Sequence, residues 1–193
     1  MARAGYFIVI PDIFRGNPAP DLLNMTDEQR SKFNLMGWLA KHPVSAVDPV
    51  IEAVIKELRA NKGVKRIGST GYCFGGKYVV RFLGEGRGVD AGFIAHPSLV
   101  EASEVKEIVN PLSIAAPETD RVFPAEKRRE TEDILFEKKV PYQMCLYGDC
   151  EHGFAVRADL KNRRQKFAKE SAYIQAVRWF DEWVKDVDVK GNL

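Results

Sequence analysis

The segment IGSTGYCFGGKYVVRFL, Ile67 to Leu83, limits what this chain can fold into more than any other. It sets Cys73 among four glycines, with a strand-like run before it and an apolar helix-like run after it. A cysteine that only fills a core needs no glycines beside it. A cysteine raised on a cramped turn does, because the positions two before and two after it crowd together and leave no room for side chains. The segment therefore predicts a strand, a tight turn and a helix in immediate succession.

The rest of the chain repeats that alternation of short β-rich runs and longer amphipathic ones. Tyr6 to Asp12, YFIVIPD, is a continuous apolar run closed by Pro-Asp and reads as a buried parallel strand. Thr26 to His42 carries an N-cap candidate at Thr26 with acids behind it and apolar residues at helical spacing. Ala46 to Gly63 is a clearer helix: Pro49 suits its first turn, and Val50, Val54, Ile55 and Leu58 form one stripe. Four further strands are expected within Lys65–Gly71, Asp90–Ser98, Pro111–Asp120 and Pro141–Gly148. Helices are expected over Tyr78–Leu83, Ala125–Lys138 and Gln165–Val187, the last packing through Tyr173, Ala176, Val177, Phe180, Trp183 and Val184. No repeat, low-complexity stretch or linker interrupts the 193 residues, so the expectation is one α/β domain, mainly a parallel sheet of about five strands with helices on both faces.

In such a sheet ligands sit beyond the carboxyl ends of the strands, where Gly71-Tyr72-Cys73-Phe74-Gly75-Gly76 falls. This is the nucleophile-elbow pattern with cysteine in place of serine. A thiol at a helix N-terminus faces unpaired N–H groups that favour the thiolate, and the Phe74 N–H is the natural donor to an oxyanion. A nucleophile needs a base, and there are three histidines. His42 precedes a proline at a helix end and reads as a surface cap. His96, at the end of a strand, is a candidate for lining the pocket. His152, in GDCEHGFAV, follows the last strand and is the best base. The acid should come from the loop after the preceding strand. There APETDRVFP offers Asp120, with Glu118 in reserve. The order Cys73, Asp120, His152 is nucleophile, acid, histidine, as in α/β-hydrolases. Cys145, Cys150 and His152 could instead be read as metal ligands, but they lack the paired C-x-x-C form, and no metal is expected.

GYCFGGKYVVRF, APETDRVFPAEKRRETEDIL and EHGFAVRADL together resemble the dienelactone hydrolase family, particularly its fungal members, and the likeness runs from Tyr6 to Trp183. The resemblance implies ester or lactone hydrolysis by a Cys-Asp-His triad at Cys73, Asp120 and His152, with no cofactor and a small-molecule substrate. It also points to Arg15 and Arg157 as holders of a substrate carboxylate; Tyr72 in the elbow and His96 at its strand end are the other substrate-binding candidates. Members of the family carry strands ahead of the stretch matching Tyr6–Asp12. The resemblance therefore implies a sheet shortened at its N-terminal side, and a weak catalyst or a scaffold retained for binding as the rival reading. Glutamine amidotransferases also use a glycine-flanked cysteine, but place glutamate two residues after the histidine, where Phe154 stands.

Composition narrows the remaining classes. With 29 basic and 27 acidic residues the net charge is +2, which gives no case for nucleic acid or an anionic membrane. No apolar stretch reaches the length of a membrane span, and no leader is visible at the N-terminus. Three cysteines form no spaced framework, so a reducing cytoplasmic setting is expected. The chain is expected to be a monomer or homodimer.

Overall fold

The structure, a computed structural model, describes residues 1–20 and 25–185. The chain divides into two compact units, 1–64 and 65–193.

The first unit is helical. Helix α1 (Asp27–Lys32) opens at Thr26, whose hydroxyl accepts the Gln29 N–H while the Gln29 side chain accepts the Thr26 N–H. This capping box satisfies two of the helix's orphan donors. Helix α2 (Leu35–Leu39) is capped by Asn34, so the expected single helix is broken in two where these side chains compete for backbone donors. Helix α3 (Val44–Ala60) starts at Pro43, which places Pro49 inside the helix and not in its first turn. Phe14, Trp38 and His42 pack ring on ring, with centroids 4.6–5.2 Å apart. His42 is thus a buried member of an aromatic cluster and not a surface cap.

Residues 6–12 form no strand, and Phe7 and Ile10 stand 75% and 88% exposed. The run has strand composition, but a strand exists only where a neighbour supplies N–H and C=O groups to its ladder. Among the described residues the sheet has four strands, one fewer than expected.

The second unit holds that sheet. Strand β1 (Gly68–Tyr72) leads into helix α4 (Phe74–Phe82), followed by β2 (Ala91–Ala95), α5 (Ala102–Lys106), β3 (Leu112–Thr119), α6 (Ala125–Lys138), β4 (Tyr142–Glu151), α7 (Phe154–Arg157) and α8 (Arg163–Phe180). All three strand pairs are parallel, in the order β1-β2-β3-β4. Helices cover both faces. A Cβ on Gly92 would strike Val79 of α4 and Leu83, the residue that ends that helix. One on Gly68, whose register partner Ala91 has the opposite parity, would strike Phe180 of α8. Ala91, Phe93, Ile94, Ile114, Ala115 and Ala116 between them are essentially inaccessible, as expected of a sheet buried on both sides.

Two expectations shift. Helix α8 ends at Phe180 and continues as one π-helical turn, Asp181–Lys185; residues 186 and 187 of the expected helix lie outside the described ones. Its buried stripe is Ala168, Ala172, Gln175, Ala176 and Trp179 with Phe180, whereas Tyr173 is 43% exposed. The stripe is rotated because Gln175 points inward, donating to the Ser113 hydroxyl and the Ile114 carbonyl and accepting from the Tyr147 hydroxyl. No helix among the described residues is long and apolar enough to cross a membrane.

Candidate active site

The register of the sheet explains why distant residues meet. Thr119 of β3 pairs with Glu151 of β4, after a register shift between Pro117 and Thr119 in which β3 advances two residues (117 to 119) and β4 four (147 to 151). The next residue on each strand is Asp120 and His152. They are therefore neighbours, and His152 Nδ1 lies 2.8 Å from Asp120 Oδ2. The other carboxylate oxygen accepts the N–H groups of Val122 and Phe123, at 2.8 and 3.1 Å. Glu118, the reserve acid, accepts the Asp149 N–H and does not reach the histidine.

Two strands away, β1 delivers Cys73 to the same edge. Its φ of 50° is a rare conformation for a residue with a side chain, of a kind that costs about 1–3 kcal/mol and is held by its surroundings. A Cβ on Gly71 would lie 2.4 Å from the Gly75 carbonyl oxygen, and one on Gly76 would lie 2.9 Å from Pro97. Around Gly75 the space is open. The crowding predicted on both sides of the cysteine is thus real for Gly71 and Gly76 but does not extend to Gly75. The turn aims Sγ at His152 Nε2, 3.1 Å away.

Charge follows from these contacts. Burial disfavours a thiolate at Cys73, but hydrogen bonds from His152 and Ser98, the His152 charge and the Phe74 N–H outweigh it, and the thiol titrates below its usual value. Burial likewise opposes a charged His152, yet Asp120 and Cys73 raise it to about 9. Burial opposes ionisation of Asp120 too, and its bonds to His152 and two backbone N–H groups hold it below the ordinary carboxylate range. The two shifts act together, each favouring the charged form of its group, thiolate at Cys73 and imidazolium at His152. Burial pushes Cys145 and Cys150 the other way. Iodoacetamide at neutral pH should therefore modify Cys73 well before either of them, read by peptide mass mapping. Faster labelling of Cys150 would contradict this.

The remaining sequence candidates are distributed as follows. Tyr72 ends β1, half-buried, with its ring 6.0 Å from that of His96. Arg157 is in α7, and its guanidinium folds back over Gly153. Arg15 belongs to the first unit, in a turn whose Asp12 carboxylate accepts the Phe14 and Gly16 N–H groups. His96 is fully buried, so it offers no surface to a substrate; its ring packs edge-to-face on His152 at 5.0 Å. Sequence reasoning missed Ser98, whose hydroxyl lies 3.5 Å from Cys73 Sγ. A serine after His-Pro carries no pattern that marks it. No group of three or more His, Cys, Asp or Glu among the described residues is arranged to hold a metal ion.

Burial, then the nearby His152 charge, lower the His96 pKa to about 4. The unfolded chain takes up a proton near pH 6.5 that the folded one refuses until about pH 4. The stability tied to neutral His96 is therefore intact above pH 6.5 and lost as pH falls toward 4, by roughly 3 kcal/mol at about 1.4 kcal/mol per unit. Urea unfolding of wild type and His96→Phe between pH 4 and 7 should give a shallower acid decline in the variant. Identical declines would contradict it.

Chains that bring an elbow, an acid and a histidine together at the carboxyl edge of a parallel, helix-covered sheet are α/β-hydrolases, and this chain has that fold. The family model described as "Dienelactone hydrolase family" matches residues 1–184. Hydrolase pyvD of Aspergillus violaceofuscus is 47% identical over 184 residues, covering 95% of this chain and 72% of that one. Hydrolase tropI of Talaromyces stipitatus is 45% identical over 193, covering 96% and 73%. Among solved structures, a dienelactone hydrolase-like promiscuous phosphotriesterase from metagenomic libraries superposes with a TM-score of 0.60, covering 77% of this chain and 65% of that one; at 18% identity the likeness is one of fold. The chain belongs to the dienelactone hydrolase family, a family of hydrolases.

Proposed function

We propose that the chain hydrolyses ester or lactone bonds of small molecules through a covalent thioester on Cys73. The observation that supports this most directly is one imidazole bonded on both sides, to Sγ at 3.1 Å and to a buried carboxylate at 2.8 Å. The thiolate attacks the carbonyl carbon; a C–S bond forms and the carbonyl electron pair moves onto oxygen, where the Phe74 N–H donates to it. As the intermediate collapses the C–O bond breaks, and the His152 imidazolium gives its Nε2 proton to the leaving oxygen. In an ester the alcohol departs; in a lactone it stays tethered to the acyl group. Neutral His152 then takes a proton from water. The hydroxide attacks the thioester, the C–S bond breaks, and the acid leaves with the thiolate restored. The cycle balances with three side chains, a backbone donor and water. Arg157 and Tyr72 are the candidates for contacting the substrate.

The test is a rapid-quench reaction with an activated aryl ester. A burst of aryl alcohol equal to the enzyme concentration is expected, with an acyl mass on the Cys73 peptide and neither in Cys73→Ala. Acylation of another residue, or equal turnover by Cys73→Ala, would refute the proposal. No turnover at all would leave a binding scaffold.

A further inference from the structure

The turn that follows β2, Ala95-His96-Pro97-Ser98-Leu99, is strained and stitched to the elbow. His96 and Leu99 both have positive φ, at 37° and 59°. The Cys73 N–H donates to the Ala95 carbonyl at 3.3 Å, and the Ser98 N–H donates to the Cys73 carbonyl at 3.0 Å. Pro97 is the residue against which Gly76 must stay small. Wherever the elbow sits, this turn sits with it.

Its two polar side chains meet the two ends of the Cys–His pair. Ser98, 8% exposed, puts its hydroxyl 3.5 Å from Sγ. His96 lies against His152 at an interplanar angle of 65°, with Phe154 on it at 5.8 Å. Among the described residues no other residue hydrogen-bonds either ring nitrogen of His96, although the residue is fully buried. An imidazole always carries at least one N–H, and leaving it unpaired in a core is costly; an aliphatic side chain such as leucine would fill the space without that cost, but also without an aromatic face. Such a group is expected where it acts on a neighbour. The ionisable groups bearing on it are His152 from the end of β4, Arg157 of α7 and Asp120 from the end of β3. The Tyr72 ring of β1 also lies near it, with centroids 6.0 Å apart.

We propose that the His96–Ser98 turn is a positioning element for the Cys73–His152 ion pair, the Ser98 hydroxyl donating to the thiolate and the neutral His96 ring packing on the imidazolium. This rests on the reading of Cys73 and His152 as nucleophile and base. A hydrogen bond to an anion is stronger than one to a neutral thiol, so Ser98 favours the charged form. An edge-to-face aromatic pair gains when one ring is a cation and the other is not. Protonated, His96 would oppose the imidazolium; buried without an acceptor, it stays neutral beside it.

The experiment is the pH dependence of Cys73 alkylation by iodoacetamide, with kcat and KM for an aryl ester, on wild type, Ser98→Ala, His96→Leu and His96→Phe. In wild type the alkylation midpoint is expected below that of an ordinary thiol. Ser98→Ala should raise it by about one unit, and His96→Leu by about half a unit, each lowering kcat with KM held. His96→Phe retains the ring and should keep the midpoint within a few tenths of a unit, which also separates the effect from a folding defect. Unchanged midpoints in Ser98→Ala and His96→Leu would overturn the proposal. Equal shifts in His96→Leu and His96→Phe would overturn the part assigned to the ring. A wild-type midpoint at the ordinary thiol value would instead sink the ion pair itself, and with it the reading on which the proposal stands.

Discussion

Asp120→Asn is expected to lower ester turnover by about four orders of magnitude while leaving the fold intact. The reason lies in which atoms the carboxylate already engages. One oxygen accepts from Val122 and Phe123, so an asparagine will keep its carbonyl oxygen there and turn its NH2 toward His152. Nδ1 then meets a donor and must present its lone pair, which places the ring proton on Nε2, facing the cysteine. A neutral ring in that tautomer cannot take the thiol proton, and the thiolate is lost with the imidazolium. Glu118→Gln changes a carboxylate that caps the Asp149 N–H and does not bond to His152, and turnover should stay within a few-fold. The measurement is kcat for both variants on one aryl ester, with circular dichroism as the folding check. Near-normal kcat in Asp120→Asn would remove the acid from the mechanism.

Gly71→Ala should be the most damaging single methyl group in the second unit. The added carbon would lie 2.4 Å from the Gly75 carbonyl oxygen and 2.8 Å from the Gly76 nitrogen, both backbone atoms that cannot rotate away. Relief requires the elbow to open, which withdraws Sγ from His152 and breaks the links to the turn after β2. A cost of at least about 3 kcal/mol is expected, a fall in Tm of roughly 10 °C, with alkylation of Cys73 returning to that of an ordinary thiol. Gly75→Ala is the internal control, since its methyl meets open space and should shift Tm by no more than about 1–2 °C. Equal melting of the two variants would show that the crowding is relieved elsewhere.

The sequence by itself was enough for the alternation of strands and longer helices from Gly68 to Phe180, for the elbow, and for the candidates Cys73, His152 and the pair Asp120 and Glu118. Each has a local cause. Alternation of β-rich and amphipathic runs is a property of short windows, glycines around a cysteine mark a cramped turn, and Ala125–Lys138 matches its helix end to end because proline starts it and no breaker interrupts it. What tertiary structure alone decided was everything that needs a partner. Tyr6–Asp12 has the composition of a strand but no ladder. Gln175 turned inward because Ser113 and Ile114 offered it bonds, and that rotated the buried face of α8. His42 packed into an aromatic cluster, and Asp120 rather than Glu118 reached the histidine because the register shift between Pro117 and Thr119 set Thr119 on Glu151. Ser98 and the buried His96 acquired meaning only when β2 brought their turn against the elbow. Propensity and periodicity act over a few residues and can be read in one dimension. Hydrogen-bond partners and burial come from residues distant along the chain, and only the folded arrangement supplies them.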